Sequence, residues 1–193
     1  MKKLDFIKAL EHHTLLYGET NTGKTLITAE FVKYLIETTK INPNKITILD
    51  FAPQFKFFKN FKIGGRLIDF YEKSNICNYL ALKKDIIPPR LNAQNKKELY
   101  ENICQNYEIT SEILLKYFQN PTPFLIINDM SIYLHLGNKR TLFEIIQKSN
   151  TFLGNTYYGD SIKSKIPSLL SIIERKRVEF LIKNIEYSLY TGS

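Results

Sequence analysis

With 193 residues, 44% of them hydrophobic and 24% charged, the chain has the size and composition of about one folded domain. That excludes a disordered or collagen-like protein. Lys and Arg total 27 against 19 Asp and Glu, a net charge of +8, which favours anionic partners such as nucleotides, nucleic acid or acidic surfaces. No run approaches the ~20 apolar residues of a membrane span. Asp5, Lys8 and Glu11 interrupt any apolar leader behind Lys2 and Lys3. The expectation is a cytoplasmic protein without membrane contact, a single domain over residues 1–193. Cys77 and Cys104 could pair with each other, but two cysteines make no disulfide framework, and a reducing compartment suits them.

Taken in chain order, Thr14-Leu15-Leu16-Tyr17 reads as a short buried strand ending at Gly18. From Lys24 to Thr39, Leu26, Ile27, Phe31, Leu35 and Ile36 recur at helical spacing. Asn42-Pro43-Asn44 is a turn, and Ile46 to Asp50 a β-branched strand. An irregular excursion with short elements follows at about residues 51–94, including Gly64-Gly65 and Pro88-Pro89. Leu99, Ile103, Ile113, Leu114 and Phe118 predict one or two helices up to Gln119, stopped by Asn120-Pro121-Thr122-Pro123. Phe124-Leu125-Ile126-Ile127 is apolar on both faces, as a central parallel strand should be. A helix from Arg140 to Lys148, a strand at Thr151 to Leu153, a helix from Ser168 to Lys183 and a strand from Ile185 to Tyr190 complete the chain. This alternation predicts an α/β fold, a mostly parallel sheet covered by helices on both faces.

Gly18-Glu19-Thr20-Asn21-Thr22-Gly23-Lys24-Thr25 fits G-x-x-x-x-G-K-[ST], with a strand before it and a helix after it. Glycines let successive N–H groups turn inward toward phosphate oxygens, and the following helix adds the positive end of its dipole. Lys24 would reach the β- and γ-phosphates, and the Thr25 hydroxyl would ligate Mg²⁺.

This motif is the Walker A signature, and over roughly residues 14–155 the chain resembles a P-loop NTPase. The resemblance implies the P-loop NTPase fold with nucleotide at the carboxyl ends of the strands. It also implies a Walker B strand, matched by Phe124-Leu125-Ile126-Ile127-Asn128-Asp129, in which Asp129 orients the Mg²⁺ shell. Many ATP-hydrolysing members place Glu directly after that Asp; here Met130 stands there, so another carboxylate acts or hydrolysis is slow. Asp50, at the end of the strand after the P-loop helix, and Glu19, inside the loop, are the alternatives, although Asp50 equally suits a turn. Asn155 sits where members of the ASCE division place a γ-phosphate sensor, or it is a turn residue beside Gly154. Arg66, Arg175 and Arg177 are candidates for a charge-stabilising arginine. More loosely, Ile48 to Pro53, Gly64-Gly65-Arg66, Ile127-Asn128-Asp129 and Asn155 to Gly159 are similar to small archaeal ATP-binding proteins, a likeness that brings no reaction with it.

Guanine-reading members carry Asn/Thr-Lys-x-Asp after the Walker B strand. Neither Asn138-Lys139-Arg140-Thr141 nor Leu82-Lys83-Lys84-Asp85 qualifies, which favours ATP. The expected function is a Mg²⁺-dependent ATP-binding protein acting as a slow or partner-stimulated ATPase. One alternative is a small-molecule or nucleotide kinase whose acceptor sits in the 51–94 excursion. The other is an ATP-gated binding module for nucleic acid or a partner protein. For the latter, Lys56-Phe57-Phe58-Lys59-Asn60-Phe61-Lys62 alternates cations with rings, which suits either a nucleic-acid track or an amphipathic element with lysines in water.

Overall fold

The computed structural model describes residues 4–58, 61–81, 86–89, 93–160 and 169–192. In chain order the described elements begin with α1 (Phe6–Ala9), β1 (His13–Gly18), α2 (Lys24–Lys33) and β2 (Ile46–Asp50). Then come β3 (Lys56–Phe58), β4 (Phe61–Ile63), β5 (Asn78–Ala81), α3 (Lys96–Gln119) and β6 (Phe124–Asn128). α4 (Ser131–Leu134), α5 (Lys139–Ile146), β7 (Thr151–Tyr157), α6 (Leu170–Asn184) and β8 (Tyr187–Tyr190) follow.

Six of these strands form one sheet in the order β5-β2-β6-β7-β1-β8, every pair parallel. Alternate side chains along a strand point to opposite faces, and here both faces are apolar. Leu16, Ile48, Ile126 and Leu153 pack with α1 and α2 on one side. Leu15, Leu49, Ile127 and Phe152 pack with the long helix and the C-terminal helices on the other. That double coverage explains strands that read as continuous apolar runs rather than as alternation. The protein is therefore α/β, with an all-parallel sheet flanked by helices.

β1 and β7 are neighbours whose chains leave in opposite directions, β1 toward β2 and β7 toward β8. Each connection crosses over the other strand, through α2 on one face of the sheet and through α6 on the other. Ligands of open α/β sheets bind beyond the carboxyl edge where adjacent strands connect in opposite senses.

The element boundaries depart from expectation in specific ways. The helix begun at Lys24 keeps α-geometry only to Lys33 and continues as a π-turn over Tyr34–Thr38. One uninterrupted helix spans residues 96–119, with Asn95 accepting from the Glu98 amide at its N-terminus. The 51–94 excursion contains the two-stranded antiparallel pair β3-β4 and the strand β5, which extends the sheet beside β2. The strand begun at Thr151, at whose end Asn155 is expected, runs on to Tyr157, so Asn155 lies inside it rather than at its end. No helix among the described residues is long and apolar enough to cross a membrane.

Candidate functional site

Residues 18–25 leave the carboxyl end of β1 and enter α2 directly. The path needs left-handed backbone at Asn21 (φ 59°) and Gly23 (φ 80°). Gly23, at the N-cap position, has no side chain to cap the helix, so its first N–H groups stay directed at the space above. Lys24 folds back over the loop. Its Nζ donates to the Gly18 carbonyl at 3.0 Å, to the Glu19 carbonyl, and to the Thr22 hydroxyl at 3.2 Å. Burial pushes the Lys24 ammonium down to about 8, with Asp129 and Glu19 opposing that shift.

Above this loop lies a pocket of about 340 Å³. Residues 20–26 form its floor, and Asp129, Ser131, His135, Asn155 and Glu174 form a polar wall. The opposite wall is apolar and comes from the excursion, with Pro53, Phe55, Phe70, Pro88 and Pro89. Gly65 permits that wall to close. A Cβ built there would stand 2.6 Å from the Phe55 ring, at a φ of +128°. Gly65→Ala should therefore destabilise the protein by about 1–3 kcal/mol, read as a lower urea midpoint; an unchanged midpoint would show that the wall yields freely.

Asp129 follows β6 with a left-handed φ of 57°. Its amide donates to Asn155 Oδ1 at 3.1 Å, and Ser131 Oγ donates to its carboxylate at 2.5 Å. Burial is the largest influence on this carboxyl and raises it, Glu174 adding to the rise while the Ser131 hydroxyl, His135 and Lys24 oppose it. The Thr25 hydroxyl meets Asn128 Oδ1, at 3.4 Å, rather than Asp129.

Asn155 lines the pocket but its amide is committed. Nδ2 donates to Thr28 Oγ1 at 3.0 Å and to Asn128 Oδ1 at 2.8 Å. Asn128 in turn donates to Asp50 at 2.8 Å and to the Gly65 carbonyl at 3.1 Å. This buried chain of amides ties α2, β7, β6 and β2 together beneath the pocket.

Asp50 closes that chain and does not reach the pocket. It is 1% exposed, and its two oxygens accept from Asn128, the amides of Ala52 and Leu67, and the Tyr79 hydroxyl. Burial raises its carboxyl in spite of these four donors. The orientation toward a phosphate that a water-orienting Asp50 requires is not the one found. Glu19 also turns away, its carboxylate accepting from the Asp160 amide at 2.6 Å.

No arginine among the described residues lines the pocket. Arg175 binds Asp160, and Arg177 donates to the Leu134 carbonyl. Lys59, Asn60 and the Leu82 to Asp85 string lie outside the described residues. Of the lysine-aromatic segment the backbone is described only at the β3 and β4 strands.

Sequence reasoning missed Asn128, Ser131, His135 and Glu174. A signal for Glu174 existed: Leu170, Glu174, Val178 and Leu181 form the buried stripe of α6, so a carboxylate stands where the helical period calls for an apolar residue. His135 likewise interrupts the apolar run Ile132 to Leu136.

The chain matches no protein family and no curated protein closely enough to be counted a relative.

Proposed function

We propose that the 18–25 loop is a P-loop and that the protein binds Mg²⁺ and ATP and hydrolyses the nucleotide slowly. One observation carries this reading. At the carboxyl end of β1, a buried lysine held by loop carbonyls and the open N-terminus of a ten-residue helix face one pocket with a threonine hydroxyl and Asp129. Such a floor supplies several N–H donors and one cation to a polyphosphate. Thr25 and Asp129 would hold the metal and its waters, the metal screening charge on the phosphates. The apolar wall from the excursion would take the uncharged part of a ligand.

Titration calorimetry with ATP, with and without Mg²⁺, tests this reading directly. Saturable binding that strengthens with Mg²⁺ is expected; no binding of either form overturns it. Because the guanine-reading Asp is missing, ATP should compete at least ~10-fold better than GTP, about 1.4 kcal/mol. A preference for GTP would place the base against a different contact.

A second reading, phosphoryl transfer to a small molecule, has a specific observation in its favour. Residues of the excursion, Phe55 and Phe70 among them, line the same pocket as Lys24 and Asp129. ADP formed faster with an added acceptor than with water alone, without matching release of inorganic phosphate, would favour it.

A further inference from the structure

Asp129 and Glu174 are the carboxylates that line the pocket among the described residues. Their settings differ. Asp129 follows the strand adjoining the Thr25 hydroxyl contact, whereas Glu174 projects from α6. Glu174 is 3% exposed, and one of its oxygens lies 3.4 Å from His135 Nε2, itself on a residue 7% exposed. No hydrogen-bond partner meets His135 Nδ1 among the described residues, although that nitrogen is buried in a residue lining the pocket. Three residues further along α6, Arg177 donates to the Leu134 carbonyl at 2.8 Å, the residue just before His135. The helix carrying Glu174 and the segment carrying His135 are thus fixed to each other at two successive points.

Removing a carboxylate from water is costly, and a buried carboxylate held against a histidine in a pocket wall has the geometry of an acid–base group. We infer that Glu174 is the carboxylate that orients the attacking water during ATP hydrolysis and accepts its proton, and that His135 is its positioning residue. The inference rests on the ATP-hydrolysis reading above. In the step, the water oxygen forms a bond to the γ-phosphorus, and the bond from that phosphorus to the β–γ bridging oxygen breaks. The bonding electrons leave with ADP. The water proton passes to a Glu174 oxygen and then to solvent, so that ATP and water give ADP, phosphate and one proton. Glu174 occupies the role left open by Met130, from a helix distant in sequence.

The test is Glu174→Gln, measured as equilibrium MgATP affinity beside single-turnover hydrolysis, with circular dichroism as the check on folding. The amide keeps the size of the side chain and an oxygen for His135, so a pair that merely fastened two helices would survive it. Affinity should stay within about threefold while the rate falls by about a hundredfold or more, the scale of general-base catalysis. Glu174→Asp, which retains the charge one methylene short, serves if the glutamine variant misfolds; it too should lose rate and keep affinity. His135→Gln should lower the rate less than His135→Ala does, both with unchanged affinity. A Glu174→Gln rate near that of the wild type overturns the inference and leaves ATP hydrolysis standing. Equal loss of affinity and rate overturns it as well, making Glu174 a binding group. Wild-type protein that binds MgATP without turnover ends the inference together with the hydrolysis; absence of ATP binding ends the whole reading.

Discussion

Lys24→Ala should weaken MgATP binding about 30-fold, or about 2 kcal/mol, the scale of a hydrogen bond to a charged group. The free protein should stay folded, and the reason lies in how the ammonium is held. It is buried enough to be pushed down to about 8, so keeping it charged near neutral pH is a cost to the free fold. Its present partners, the Gly18 and Glu19 carbonyls and the Thr22 hydroxyl, are groups of the loop itself. A polyphosphate would give it opposite charge in place of neutral oxygens, and that gain is what alanine forgoes. Calorimetry on a variant whose thermal midpoint matches the wild type separates the two effects. Wild-type affinity in such a variant would remove Lys24 from the phosphate site and, with it, the P-loop reading.

What could be read from the sequence was what is local. The 18–25 loop shows in residue types because glycines, a lysine and a threonine at set spacing are needed within eight consecutive positions. The central strands show because burial on both faces leaves runs such as Phe124 to Ile127. The edge strand at Asn78–Ala81 did not show, since it is four residues long and only half buried, and so reads like the turns around it. The amide chain from Thr28 through Asn155 and Asn128 to Asp50 joins residues up to 127 positions apart. Nothing in any one segment announces it. Asp50 and Asn155 were legible as polar residues near strand ends, but their partners lie on other elements, and the partners decide what a polar residue can do. Glu174 lay hidden for a different reason. Glu-Arg-Lys-Arg at residues 174–177 looks like a solvated helix face, and only the buried phase of α6 turns its first residue inward.

Asp50→Asn should cost stability rather than catalysis. The carboxylate offers two oxygens to four donors, the Leu67 amide and the Tyr79 hydroxyl on one, the Ala52 amide and Asn128 Nδ2 on the other. An asparagine supplies one oxygen and sets an NH₂ against the remaining pair, so two buried donors lose their acceptor whichever way the amide is turned. Each such group costs about 1–3 kcal/mol, and breaking a buried charged network by one member costs about 3–5 kcal/mol. A loss of about 3–4 kcal/mol, a large share of the ~5–15 kcal/mol that holds a domain folded, should appear in urea titration as a lower midpoint with an unchanged slope. The damage should also travel. Leu67 and Tyr79 belong to the excursion, so Asp50 is what fastens that segment and its apolar wall to β2 and, through Asn128, to β6. Nucleotide affinity should fall in proportion to the unfolded fraction, whereas the single-turnover rate of the nucleotide-bound, folded fraction should stay near the wild-type value. The contrary pattern, full stability with turnover abolished, would return Asp50 to the phosphate and take the water from Glu174.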